Sequence, residues 1–312
     1  MTDPDITFVA SDNPVTRRER RRQSAYREEV LRLPAGTDAR GRTFGNYLPA
    51  GDRRSNFLSD EAATYAAARA DVVRNEGGQL EQNRLFTNML SSMPLAFNVF
   101  GHLRAHPGAA LVLLSNLSGS TLTELETVVV GSRTIAGIEC EWAPTRRDHL
   151  DDGTAFDAVA AARQANGRRL LIAVEVKYID SFSRDPENAE KDAKYRRICE
   201  RFGLAPTAFE ALQGPATRQL LRNVLLTESV RRGGADAAEP LFDDAVTLVL
   251  ARDDDPAARG AVDAVRRQRG DLQTDVAFVG HGELADAADA VEALVPWSAR
   301  FRRRYVPPEA RQ

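Results

Sequence analysis

Lysine is nearly missing from this chain. Of its 42 basic residues only three are lysine, at positions 177, 191 and 194, and all the others are arginine. Cysteine is as scarce: Cys140 and Cys199 cannot make a disulfide framework or a cysteine zinc site, and a reducing cytoplasm is the matching compartment. Long apolar runs are absent too. The stretches 109–114 and 245–251 fall far short of the roughly 20 residues that span a membrane. Met1-Thr2-Asp3-Pro4-Asp5 lacks the basic start and apolar core of a secretory signal. A formal net charge of −3 excludes a global basic field, so nucleic-acid binding would need local patches. No phosphate-cradling glycine loop and no Gly-x-Ser-x-Gly elbow occurs, which argues against nucleotide hydrolysis and serine esterase chemistry. The four histidines (102, 106, 149 and 281) show no zinc spacing. His102 and His106 stand at i, i+4 but lack a zinc-protease glutamate between them, and Pro107 follows, so they read as a solvated helix end.

What is present centres on residues 170–179, Leu-Leu-Ile-Ala-Val-Glu-Val-Lys-Tyr-Ile. The run is apolar at both parities, the pattern of a strand covered on both faces. Glu175 and Lys177 interrupt it two residues apart, so both project from one face. Burying either charge alone is strongly unfavourable, so each needs a reason to be there. In a chain that uses arginine almost everywhere, a strand lysine suggests chemistry that a permanently protonated guanidinium cannot perform. An exposed cross-strand salt bridge is the plain alternative, and the apolar context argues against it.

Residues 1–58 are polar, carry the basic run 17–22, and read as an arm with a short helix near 16–32 and poor order elsewhere. From 59 to 312 a single domain is expected. An alanine-rich helix at 60–75 is punctuated by Gly77-Gly78. Apolar Leu80, Leu85, Met89 and Leu90 then run toward Met93-Pro94, and a helical stretch covers 95–117. Strand signals follow at 127–130, 135–142, 155–162 and 170–179, with Asn166-Gly167 as a hairpin turn between the last two. Helices are expected at 186–202, opened by Pro186, and at 217–230. A closing strand–helix–strand unit spans 245–251, 256–269 and 275–279. Strands in the middle with helices on either side predict a mixed α/β domain, its sheet sandwiched by helices.

Asp157 begins the strand that the hairpin folds back on Glu175 and Lys177. A two-residue turn at Asn166-Gly167 pairs positions summing to roughly 333, setting Asp157 opposite Val176 and on the wrong face. The three charges converge only if the loop is odd-numbered or a bulge intervenes. A further carboxylate comes from Ile138-Glu139-Cys140-Glu141-Trp142, where alternation puts both glutamates on one face. Glu141 is preferred, since an antiparallel pairing brings that end of the strand nearer Asp157. Carboxylates without histidine or cysteine suit a hard divalent cation such as Mg²⁺, with Mn²⁺ as a substitute. Asp148, Asp151 and Asp152 read as a polar connection.

An aspartate, a hairpin, then Glu-x-Lys in an apolar strand flanked by helices resembles the PD-(D/E)xK nuclease superfamily, the restriction-endonuclease-like fold. Here the match is Asp157, then Glu175-Val176-Lys177, with Phe156 where the family's proline is usual. Gln219, in Arg218-Gln219-Leu220-Leu221-Arg222-Asn223, resembles the extra glutamine of the exonuclease-like and resolvase-like branches. Residues 90–100 resemble the helix before the core in a group of bacterial restriction-endonuclease-like proteins. The resemblance covers roughly 80–280; its three-residue motif is common alone, and the apolar context and element order supply specificity. It implies a Mg²⁺-dependent nuclease cutting DNA, set in restriction or defence. Asp157, Glu175 and Glu141 would hold the metal, the Val176 carbonyl could add a ligand, and Lys177 would orient the attacking water, with Gln219 completing the site. A homodimer is common in such nucleases, and no residue here marks an interface. The alternatives are a degenerate, non-catalytic binding module and a hydrolase of small phosphodiesters or nucleotides. Phosphate contacts are looked for at 17–22, at 302–304 and above all on the helix carrying Lys191, Lys194, Arg196 and Arg197.

Overall fold

The structure is a computed structural model that describes residues 6–76, 78, 80–179, 188–234 and 237–307. Pro186 and Gly77, placed at element boundaries in the sequence, lie outside the described residues. Helix α1 (Pro14–Ala25) starts where the Asn13 side chain accepts from Thr16 N and proline takes the first turn. It runs into a π-helical segment, Tyr26–Leu31, which ends at Arg32 in the left-handed region. The short strands β1 (Gly36–Thr37) and β2 (Thr43–Phe44) form a hairpin. Ser59 then caps helix α2 (Asp60–Asn75), whose first turn carries Asp60 and Glu61 at the positive end of the helix dipole.

The helical stretch expected at 80–117 is broken into pieces: α3 (Gln82–Thr87), α4 (Ser92–Ala96), a π turn Phe97–Gly101, α5 (His102–Ala105) and α6 (Pro107–Ser118). Proline at 107 supplies one break, because it cannot donate to the preceding turn. Strand β3 (Leu122–Leu125), which the sequence reading did not anticipate, comes next. The hairpin of β4 (Thr127–Val130) and β5 (Arg133–Ala136) forms its own two-stranded sheet. The single strand expected at 135–142 is divided at Gly137, whose φ of 70° turns the chain into β6 (Ile138–Trp142).

Strands β7 (Phe156–Gln164) and β8 (Arg169–Val176) form the central hairpin. Helices α7 (Ala189–Phe202), α8 (Ala208–Ala211) and α9 (Pro215–Arg232) return the chain to β9 (Asp244–Ala251), parallel to β8. Helix α10 (Pro256–Arg267) then crosses to β10 (Thr274–Gly280), again parallel, and α11 (His281–Asp289) and α12 (Val295–Tyr305) close the fold. The sheet order is β10-β9-β8-β7-β3, with β6 also on β7. Thus β3 and β6 lie end to end along one edge of β7, pairing with its C-terminal and N-terminal parts respectively. The expected mixed α/β sheet sandwiched by helices is what the chain forms.

Strand β8 is central, and every residue of it after Arg169 is buried. Ile172, Val174 and Val176 pack under Leu95, Phe97 and Trp297 on one face. On the other, Leu171 and Ala173 belong to a buried cluster with Leu220 and Val224 of α9 and with Val262 of α10. Each large side chain so covered contributes roughly 1.5–3 kcal/mol, which holds the strand's register firmly. Glu175 and Lys177 share the parity of Leu171 and Ala173, so they project beneath α9.

Candidate active site

The β7–β8 turn is not the two-residue hairpin expected from Asn166-Gly167. Gln164 N donates to Arg168 O at 2.8 Å, leaving three residues, 165–167, in the loop. Gly167 takes a φ of 83° and its N–H reaches Gln164 O at 2.9 Å. This is the type I turn closed by a left-handed residue that characterises three-residue hairpins. The register is therefore Ala158↔Val174 through Arg163↔Arg169, shifted by one from the even-loop pairing. Continued one step, it sets Asp157 across from Glu175, on the same face. The odd-numbered loop needed for convergence is present.

Five side chains meet there. Glu175 Oε1 lies 2.6 Å from Lys177 Nζ and accepts from Gln219 Nε2 at 2.7 Å. Glu175 Oε2 accepts from Asn223 Nδ2. Glu175 and Lys177 are 4% and 6% exposed, so these contacts are made out of water, where charge-assisted hydrogen bonds are strong. Gln219 and Asn223 are one helical turn apart on α9, and that spacing lets them take one oxygen each. Asp157 Oδ2 accepts from Val176 N at 2.7 Å, which ties the aspartate to the strand bearing Glu175.

Glu139 and Glu141 part company. Glu139 accepts from Tyr65 of α2 at 2.7 Å and pairs with Arg104 at 3.0 Å. At Glu141 the backbone leaves the extended region (φ 49°), breaking the alternation that would have kept the two on one face, and pairing resumes at Trp142↔Phe156. Glu141 instead lines a cavity of about 580 Å³ together with Asp157, Glu175, Lys177, Gln219 and Asn223. Arg69 of α2 holds the Cys140 and Glu141 carbonyls, at 2.8 and 3.2 Å, and so fixes the irregular turn.

The electrostatics follow from crowding. Burial, then the charges of Glu175 and Glu141, push the Asp157 carboxyl well above its usual range, against the pull of Lys177 and the Val176 N–H. Burial and the Glu175 charge push Glu141 up to about 7. Carboxyl groups raised in this way within a cleft are a mark of functional sites.

The sequence of residues 10–307 matches the family model of the PD-(D/E)XK nuclease superfamily. The chain belongs to that superfamily. Searches of curated proteins and of solved structures return no match.

As a PD-(D/E)XK chain it has cationic side chains at the cavity that its motif does not announce. Arg84 of α3, Lys191 of α7 and Arg222 of α9 all line it. Asn223 could have been found from its i+4 spacing to Gln219, whereas Arg84 lies far away in sequence and gave no signal. Of the basic runs, Lys191 reaches the cavity and several other members are engaged elsewhere. Arg20 binds Asp12 and Asn46, Arg302 binds Asp286 and Asp289, and Arg304 is fully buried on Asn56 and Gln23. In α7, Lys194 donates to Asp151 O and Arg196 pairs with Glu210. Asp152, in the polar connection, lines the cavity and accepts from Tyr195. His102 is not at a solvated helix end: it is 6% exposed, with its ring stacked on Trp297. No described helix is long and apolar enough to cross a membrane.

Proposed function

We propose that this chain is a divalent-metal-dependent nuclease that hydrolyses phosphodiester bonds of DNA. The observation that carries the reading is Asp157 across from Glu175 in the β7–β8 register, with Lys177 on Glu175 and all three in one cavity. The donor set fits the metal. Four carboxylates, Glu141, Asp152, Asp157 and Glu175, line one cavity, they offer only oxygen, and Mg²⁺ and Mn²⁺ are oxygen-seeking ions. Asp157 and Glu175 would hold the ion, with Glu141 or the Val176 carbonyl as a further donor. When bound, it supplies neutralisation of the charge that builds on the scissile phosphate.

The chain's own groups do the rest. Lys177, fixed by its 2.6 Å contact to Glu175, is placed to orient a water and to stabilise the developing negative charge. Gln219 and Asn223 hold the Glu175 carboxylate in one orientation. Arg84, Lys191 and Arg222 supply positive charge at the cavity for a polyanionic backbone. The water oxygen bonds to phosphorus, the opposite P–O bond breaks, and the departing oxygen takes a proton.

Purified protein offered single- and double-stranded DNA and RNA with Mg²⁺ or Mn²⁺ tests this. DNA cleavage that needs the metal and disappears in Lys177→Ala and Asp157→Asn is the expected result. A second reading, a non-catalytic nucleic-acid-binding module, has one observation in its favour: both Glu175 oxygens already have protein donors. Absence of Mn²⁺ binding by calorimetry, with all substrates uncut, would decide for it.

A further inference from the structure

Away from the cavity, three potential metal ligands meet between α2 and α5. Glu61 stands in the first turn of α2, His102 opens α5, and His106 caps it. One ligand atom from each lies within 4.8 Å of the other two. No zinc spacing is visible along the chain because the carboxylate comes from a different helix, some forty positions upstream of the histidine pair.

The two imidazoles are set up unequally. His102 is held from two sides: Nδ1 lies 3.0 Å from Ser59 Oγ, the N-cap of α2, and the ring lies parallel to Trp297 at 5.7 Å. Such an outer hydrogen bond is the usual means of fixing a metal-binding histidine. The His106 ring sits 4.4 Å from that of His102, and its Nε2 is buried with no hydrogen-bond partner among the described residues. A buried nitrogen left so calls for an explanation, and a bound ion is one. Glu61 is exposed, so its carboxylate can swing inward and a water can complete the shell.

We propose that Glu61, His102 and His106 form a second metal site, specific for Zn²⁺ or a similar transition ion and separate from the candidate active site. Imidazole nitrogen selects such ions over Mg²⁺. Tetrahedral zinc with ligands at about 2.0–2.2 Å spaces its donors roughly 3.4 Å apart, so donors already within 4.8 Å of one another need only small side-chain movements for the cluster to close. The site acts as a clip. Both helices it joins grip the edge strand β6: Tyr65 of α2 bonds Glu139 and Cys140 N, and Arg104 of α5 bonds the Ala136 and Ile138 carbonyls. Fixing α2 to α5 therefore steadies the strand that carries Glu141.

Zn²⁺ alone is the probe, titrated calorimetrically into the Asp157→Asn/Glu175→Gln variant so that the active-site carboxylates do not compete. One equivalent should bind and raise the melting temperature, and Mg²⁺ should do neither. His106→Ala and Glu61→Ala, at half-buried and exposed positions, should each weaken binding at least about tenfold, roughly one ligand's worth. Co²⁺ in place of Zn²⁺ should give a visible spectrum of four-coordinate, nitrogen-ligated metal, lost in His106→Ala. No binding at about 100 μM Zn²⁺, well above the range of a built site, or undiminished binding in both variants, overturns the proposal. This outcome is independent of whether the protein cleaves DNA.

Discussion

Asn223 donates its side-chain amide to the one Glu175 oxygen that Lys177 and Gln219 do not hold. It is 5% exposed, so no bulk water stands ready to replace it. Removing the partner of a buried charged acceptor costs about 1–3 kcal/mol. Asn223→Ala should therefore lower the urea midpoint measurably, and it should lower kcat more than it raises KM because Glu175 loses its orientation. Gln219→Ala should cost less stability, since Lys177 remains on the same oxygen. Equal losses in the two variants, in parallel urea melts, would contradict this division of labour.

In the proposed site Glu141 should link metal affinity to pH. Its carboxyl is pushed up to about 7 by burial and by the Glu175 charge, from an ordinary value of 4.5. A group raised in the folded state favours folding while protonated, so its contribution is present below about pH 4.5 and is lost as pH rises through about 7. Without metal, Glu141→Gln should remove that loss, giving a variant relatively more stable at pH 8 than at pH 5. With metal the sign reverses: Mn²⁺ affinity in the parent should climb between pH 6 and 8 as the carboxyl ionises, by roughly tenfold or less for one proton. Calorimetry at three pH values, run on parent and Glu141→Gln, checks both slopes. Parallel slopes in the two proteins would remove Glu141 from the metal's surroundings.

Much of this was legible because burial on both faces leaves a plain mark. Strand β8 announced itself by apolar residues at both parities, and Glu175 and Lys177 stood out against them. The β9–α10–β10 unit was equally readable, since its strands are bracketed by turn residues and by Pro256 at the helix start. What escaped depends on backbone detail. Asn166-Gly167 signals a tight turn in either length of hairpin, and only the left-handed Gly167 after a type I turn reveals the odd count. Strand β3 is a four-residue edge with its polar positions outward, and it carries little apolar pattern. Glu141 left its expected face through a single positive φ, which Arg69 stabilises from a helix seventy residues away. Arg304, in a run weighed as a phosphate contact or a solvated face, is a buried strut instead, because guanidinium serves either end equally well.

The hairpin supplies a test that separates turn from register. A Cβ on Gly167 would meet nothing within 4 Å, so the penalty for a side chain there is backbone strain alone. Gly167→Ala should cost about 1–2 kcal/mol, the usual price of a left-handed non-glycine residue, and Gly167→Asn distinctly less. Neither should alter Mn²⁺ binding below the melting transition, because the buried faces of β7 and β8, not the turn, hold Asp157 across from Glu175. Loss of metal binding in a folded Gly167→Ala protein would show that the turn itself sets the register.

His281 makes the folded state sensitive to acid. The ring is fully buried at the start of α11 among Tyr178, Phe301 and Tyr305. Burial lowers its pKa from 6.5 to about 4, with Asp253 pulling upward and Arg252 downward. An imidazole depressed in this way is neutral in the fold but charges readily when unfolded. Its contribution to stability is thus intact above about pH 6.5 and is lost as pH falls toward about 4. The full loss is at most about 3 kcal/mol, from 1.36 kcal/mol per pKa unit. His102 titrates in the same window, also lowered to about 4 by burial and by His106. His149 is lowered by burial as well, so His281→Phe should shrink the drop in melting temperature between pH 7 and 4.5 without abolishing it. An unchanged acid limb in His281→Phe would assign the whole effect to carboxylates, His102 and His149.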